Sequence, residues 1–208
     1  SWAGIDYHGR WKALHYFARK FYHPILVSPY IREGKLVVQV VSDRLEEIKA
    51  NLSVQVIDFN GKQLLHGEEG LLLKPNASAM VYEMPLAPVV PKEMENRCLV
   101  LCRLEGAQGL FHENALYLTD VKEMELEPPG ISWSMNIEEE GAYIAIKSDK
   151  LAKNVLLEAN EPGIHFNDNY FDLFPGETKK VLIKGNIPDP TALKEIVNVK
   201  SIYDALNK

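Results

Sequence analysis

Apolar residues recur along the chain in two rhythms, and the change of rhythm divides it. Between Gly9 and Tyr22, the residues Trp11, Leu14, Phe17, Ala18 and Phe21 follow at steps of three and four, which predicts one face of a helix. Lys12, Arg19 and Lys20 fall off that face, and Tyr16 and Tyr22 lie beside it. His23-Pro24 ends the pattern, because the residue before a proline is pushed out of the helical region. From Ile25 onward the period drops to two. Leu36, Val38 and Val40 alternate with Val37, Gln39 and Val41, and Leu52, Val54 and Val56 alternate with Ser53, Gln55 and Ile57. Further strands are predicted over 79–84, 98–104 and 115–119. Asn60-Gly61 between two extended runs predicts a hairpin whose two central residues both take positive φ. Interruptions are expected at Gly67, Gly70, Pro75-Asn76, the Pro85–Pro91 stretch and Gly106–Gly109.

Glu127-Pro128-Pro129-Gly130 breaks the alternation, since two prolines donate no backbone hydrogen bond. It restarts with Ile131, Trp133, Met135 and Ile137 on one face, followed by a turn over Glu139–Gly141. Strands follow at 143–147, 155–158, 179–184 and 197–202. The expected architecture is mainly β: two tandem immunoglobulin-like β-sandwiches over 25–127 and 128–208, the second of about seven strands, behind a short helical segment over 1–24.

That helix is out of place. Burying Trp11, Phe17 and Phe21 would remove about 450–750 Å² of surface, an upper bound of about 11–19 kcal/mol. A lone helix of this length is marginal in water and must pack on something. Its partner is expected to be either the sandwich that follows it or a body preceding residue 1. An isolated chain is expected to self-associate through the helix or to bury it on its own sandwich.

Composition removes several function classes. With 208 residues, 46% hydrophobic and 25% charged, the chain can close one large or two small cores. A net charge of −6 argues against nucleic-acid binding, which needs a surplus of Lys and Arg. No apolar run approaches the roughly 18 residues that span a bilayer. Cys98 and Cys102 lie four apart on one predicted strand, about 13 Å at ~3.3 Å per residue, too far for a disulfide to join them. They read as small buried hydrophobes. No Cys or His cluster suggests a metal, and no cofactor is expected.

The run Ser1-Trp2, Ile5-Asp6-Tyr7 and Gly9-Arg10-Trp11-Lys12-Ala13-Leu14-His15-Tyr16 resembles the end of the catalytic barrel in β-mannosidases of glycoside hydrolase family two. There the stretch leaves the eighth barrel strand and forms the last barrel helix. Asp168-Asn169-Tyr170-Phe171-Asp172-Leu173-Phe174-Pro175-Gly176-Glu177 is similar to a motif in the C-terminal immunoglobulin-like domain of the same enzymes. Ala3-Gly4 and His8 depart from the family's commoner choices.

The resemblance implies a parent that removes terminal β-mannose from glycans with retention, in a periplasmic, secreted or lysosomal setting. Such chemistry uses two carboxylates about 5–5.5 Å apart. The family's glutamates lie on earlier barrel strands, so no residue here takes a catalytic role. Within the resemblance, Trp2 is a candidate substrate-rim contact, and Trp11, Leu14, Phe17 and Phe21 form the packing face of the barrel helix. The expected partners are the upstream barrel and the parent's glycan. The expected function is a non-catalytic brace for the barrel; the alternative is a carbohydrate-binding module.

Other candidates have plainer readings. Asp6, Tyr7 and Arg10 could join the barrel end to its loops, and Asp6 equally fits a helix N-terminus. Asp168, Asn169, Asp172 and Glu177 offer oxygen ligands but match no calcium loop, so turn chemistry is expected. Glu68-Glu69 and Glu138–Glu140 are neighbours that point apart, not an acid/base pair. His15 is expected to pack or cap, while His66, His112 and His165 are scattered. Trp133, Tyr143 and Tyr170 could form a sugar platform, although Trp133 alternates with core aliphatics. Asn51-Leu52-Ser53 and Asn76-Ala77-Ser78 fit the N-glycosylation pattern.

Overall fold

The computed structural model describes residues 3–7, 9–139, 141–161, 163–185 and 194–207. The chain forms two compact units, Phe21–Glu125 and a second made of Ser1–Lys20 with Leu126–Lys208. Each is a β-sandwich of immunoglobulin type, as the alternation predicts.

The unit Phe21–Glu125 contains β1 (Ile25–Arg32), β2 (Lys35–Ser42), β3 (Ile48–Asp58), β4 (Gln63–Leu73), β5 (Ala77–Pro85), β6 (Cys98–Gly106) and β7 (Gly109–Tyr117). They pair antiparallel in two sheets, β1-β2-β5 and β4-β3-β6-β7. The alternating residues meet between the sheets: Leu36, Val38 and Val40 from β2, Leu52, Val54 and Val56 from β3, and Cys98, Val100, Cys102 and Leu104 from β6.

Two features of this unit depart from the sequence expectation. The turn with two positive φ values is Glu33-Gly34, at 51° and 75°, and it joins β1 to β2. At Asn60-Gly61 only Gly61 is left-handed, at 92°. There the Asp58 carboxylate accepts from the N–H groups of Asn60 and Lys62 at 2.9 and 2.8 Å, and this side-chain bridge sets a longer turn. Gly67 and Gly70 do not interrupt; both lie within β4. A Cβ on Gly67 would stand 3.0 Å from the Tyr82 hydroxyl, so the glycine leaves room for a ring from β5.

The second unit holds β8 (Ser132–Glu138), β9 (Gly141–Lys147), β10 (Ala152–Ala159), β11 (His165–Phe166), β12 (Phe171–Leu173), β13 (Thr178–Lys184) and β14 (Val197–Lys200). Its sheets run β12-β10-β14 and β11-β13-β9-β8. Ile144, Ile146, Val155, Phe171, Leu173 and Val181 fill the space between them, with Trp133 and Met135 packed against that cluster. The last strand ends at Lys200, before Ile202. Ser201 caps α2 (Ile202–Leu206), its N–H donating to the Asp204 carboxylate at 2.7 Å. Of the turn over Glu139–Gly141, residue 140 lies outside the described residues.

Helix α1 spans Ala13–Phe21, shorter than the apolar spacing implies. Trp11 precedes it and pairs with Ile5 as an isolated antiparallel bridge. All of α1 except Phe21 belongs to the unit containing Leu126–Lys208, so the helix sides with the last third of the chain and not with the sandwich that follows it in sequence.

Candidate functional site

A closed loop leads into α1. Its ends are tied by the Ile5–Trp11 bridge and by the Lys12 N–H donating to the Gly4 carbonyl at 2.9 Å. Inside, one oxygen of Asp6 accepts from the Arg10 backbone N–H at 2.9 Å and the other from its Nε at 2.7 Å. Asp6 therefore clamps a loop and does not cap α1, which begins at Ala13. Tyr7 rides this loop with 97% of its surface exposed. Trp2 and His8 lie outside the described residues. His15 packs, as expected: its ring lies 4.2 Å from that of Trp11.

The side of α1 that docks is the one carrying Tyr16. Tyr16 is 3% exposed, and its hydroxyl donates to the Phe166 carbonyl at 3.1 Å. Its ring meets Tyr170 at 5.9 Å between centroids. One helical turn on, Arg19 and Lys20 reach Asp168 at 3.7 and 3.9 Å, and Lys179 from β13 approaches the same carboxylate at 2.8 Å. Burial pushes the Tyr16 and Tyr170 phenols above their ordinary range. Burial also holds the Lys20 ammonium below its own, against the opposing pull of Asp168.

The segment that receives Tyr16 is built from side chains standing in for strand partners. Asn167 Oδ1 accepts from the Leu182 N–H at 2.7 Å. Asn169 is buried, accepts from the Leu157 and Tyr170 N–H groups at 2.8 and 3.0 Å, and donates to the Leu157 carbonyl at 2.8 Å. Asp172 accepts from the Asn154 N–H at 2.8 Å and pairs with Lys153 at 3.3 Å. Tyr170 holds φ at 53°, a left-handed value that this hydrogen-bonded frame imposes. The oxygens of Asp168, Asn169 and Asp172 are thus engaged in turn and strand bonding. Among the described residues no group of three or more His, Cys, Asp or Glu is placed to hold a metal.

The opposite side of α1 is apolar and open. Leu14, Phe17 and Phe21 are 53%, 41% and 50% exposed, while Trp11, just before the helix, is 40% exposed and sets its ring 5.4 Å from that of Tyr16. These are the residues whose spacing predicts one helical face, expected there as a packing face. Spacing gives no means of finding the docked side, where one tyrosine and two cations sit among polar neighbours.

The remaining candidates separate cleanly. The proposed sugar platform is not assembled: Trp133 packs on the core, Lys180 lies 3.9 Å above the Tyr143 ring, and Tyr170 is engaged by Tyr16. Glu68 approaches His66 at 3.4 Å and Glu138 pairs with Lys180 at 2.6 Å, so neither belongs to a carboxylate pair. A cleft of about 320 Å³ opens between β4 and β5, lined by Val40, Leu71, Leu73, Val81, Ser42 and Lys74 among others, with no aromatic ring. Cys98 and Cys102 are buried thiols, and burial pushes Cys102 up to about 12. Asn51 and Asn76 are both exposed, the first on β3 and the second in the β4–β5 turn.

Residues 34–123 match the model of the mannosidase Ig/CBM-like domain, and residues 126–205 that of the mannosidase Ig-fold domain. The chain is 30% identical over 197 residues to a β-mannosidase A of Aspergillus oryzae, covering 87% of this chain and 21% of that protein. It is 29% identical over 223 residues to a β-mannosidase A of Aspergillus fumigatus, covering 98% and 24%. It thus spans about a quarter or less of the curated relatives it matches. Among solved structures, a β-D-mannosidase from Dictyoglomus thermophilum aligns with TM-score 0.83 and 23% identity over 97% of this chain and 24% of that one. An exo-chitosanase from Amycolatopsis orientalis aligns with TM-score 0.66 and 16% identity over 96% and 28%. These two carry the fold alone. The chain thus carries a mannosidase Ig/CBM-like domain followed by a mannosidase Ig-fold domain, and β-mannosidase relatives align along nearly its whole length.

Proposed function

We propose that this chain is the non-catalytic accessory part of a retaining, β-mannosidase-like glycoside hydrolase, and that it braces the catalytic barrel through α1. The observation that carries the reading is the division of α1 into two sides. One is fixed to the C-terminal sandwich by Tyr16, Arg19 and Lys20, while the other leaves Leu14, Phe17 and Phe21 open. A helix held on one side and apolar on the other is suited to tie two bodies together. The parent's chemistry, removal of terminal β-mannose by a nucleophile and an acid/base carboxylate, would belong to the barrel.

The test uses the longer enzyme. Tyr16→Ala with Asp168→Ala should lower its melting temperature and its turnover of an aryl β-mannoside together. Residues 1–208 alone should show no turnover. A longer enzyme whose stability and activity ignore the double substitution would overturn the brace. The match of residues 34–123 to an Ig/CBM-like domain supports a second reading, a carbohydrate-binding module. Calorimetric titration of the chain with manno-oligosaccharides separates the two: the brace expects no heat of binding, the module a saturable one.

A further inference from the structure

We propose that the cleft between β4 and β5 is a binding site for a medium-chain aliphatic carboxylate, with its tail between the sheets and its head at Lys74. The two sides of the Phe21–Glu125 sandwich differ. On one, β7 reaches β1: Asn114 Nδ2 donates to the Val27 carbonyl at 3.1 Å. On the other, β4 pairs with β3 and β5 with β2, and among the described residues no hydrogen bond joins β4 to β5. The sheets part there into the cleft of about 320 Å³, a size in the range of small-ligand pockets. Its walls are aliphatic: Val40 and Leu73 are buried, and Leu71 and Val81 half-buried. With no ring among the lining residues, the cleft suits a flexible alkyl chain better than the face of a sugar.

Polar groups gather at one end. Val40 and Ser42 lie two apart on β2, so the Ser42 side chain follows Val40 into the cleft. Ser42 is 2% exposed. Its Oγ accepts from the Arg44 N–H at 3.4 Å, and among the described residues no acceptor takes its own proton. Lys74 stands at the same end, because Ser42 pairs with Ala77 at the start of β5 and Lys74 opens the turn into that strand. The turn is held by the Asn76 N–H, which donates to the Arg44 carbonyl at 3.0 Å. Lys74 is the charged residue of the lining, and among the described residues no carboxylate pairs with it. A buried hydroxyl with a proton to give, beside an ammonium, suits an anionic head that accepts from both. From Lys74 back to Leu71 the cleft follows β4 for about 10 Å at ~3.3 Å per residue, which matches a chain of about eight carbons.

Amide shift mapping by NMR on the 208-residue chain, with sodium octanoate at neutral pH, tests this. We expect saturable movement of the Leu71, Leu73, Ala79 and Val81 amides with a dissociation constant of about 0.1–1 mM, and octan-1-ol about tenfold weaker for want of the charge. Lys74→Gln should bring octanoate down to the alcohol's affinity and leave the alcohol unchanged. Ala79 is exposed and opposite Val40 in the register, so Ala79→Phe fills the cleft. It should abolish both responses while the melting temperature stays within about 2 °C of wild type. Octanoate leaving these amides still at about 10 mM would overturn the site, as would undiminished binding to Ala79→Phe. Equal affinity for acid and alcohol, or no loss in Lys74→Gln, would overturn the carboxylate. So would a manno-oligosaccharide or an acidic peptide moving these amides where octanoate does not, or shifts that follow protein concentration alone.

Discussion

Tyr16→Phe removes one oxygen from the place where α1 meets the C-terminal sandwich. The ring stays, still buried against Tyr170, and the Phe166 carbonyl loses its donor. Leaving a buried acceptor unsatisfied costs about 1–3 kcal/mol, and roughly 1.5 is expected here. Tyr16→Ala also removes a ring that is 3% exposed, which raises the cost to about 3–5 kcal/mol. For a unit of about 100 residues each kcal/mol moves the melting temperature by about 4–8 °C, so Tyr16→Phe should lower it by about 6–12 °C. Tryptophan fluorescence reports this unit selectively, because Trp2, Trp11 and Trp133 all fall within its ranges. Thermal and urea melts followed by that signal give both numbers. A Tyr16→Phe chain melting within 1 °C of wild type would refute the clasp, as would Tyr16→Ala costing no more than Tyr16→Phe.

Three more substitutions or titrations bear on the same framework. Asn169→Leu strips three hydrogen bonds from a buried amide and leaves the Leu157 N–H and C=O without that partner; a loss of about 3 kcal/mol or more is expected in the same melts. Gly185→Ala would put a Cβ 2.0 Å from the Gly163 carbonyl oxygen at a φ of 117°, and it should destabilise by more than about 2 kcal/mol or abolish folding, read by circular dichroism. Cys102, with its thiol held up to about 12 by burial, should resist a thiol reagent at pH 8 until urea is added. Because the unfolded thiol ionises near pH 8.5 and the folded one does not, its contribution is complete below that value. It is lost as pH rises toward 12, and Cys102→Ala should flatten this alkaline decline.

The alternation of Leu36-Val38-Val40 and Leu52-Val54-Val56 carried the first sandwich, because a two-residue period leaves little choice of face. Trp133 and Met135 carried the first strand of the second in the same way. β4 escaped, since Gly67 and Gly70 read as turns until the Tyr82 ring gives the first of them a reason. The turn at Glu33-Gly34 escaped because glutamate rarely takes positive φ. At the site, the apolar stripe of α1 followed from spacing alone. The docked side did not, because Tyr16, Arg19 and Lys20 form a surface only once Asp168 and Phe166, about 150 residues away, are folded beside them. Long-range pairing of single polar groups leaves no periodic trace in one sequence.

The central claim is that α1 ties these sandwiches to a catalytic barrel. Placing Leu14→Asp and Phe17→Asp on its open side in the longer enzyme tests it most directly, with turnover of an aryl β-mannoside as the readout. Both positions are about half exposed in the 208-residue chain, which should therefore fold with its melting temperature within about 2 °C of wild type. The longer enzyme should lose most of its turnover. Full activity in the doubly substituted enzyme would contradict the claim.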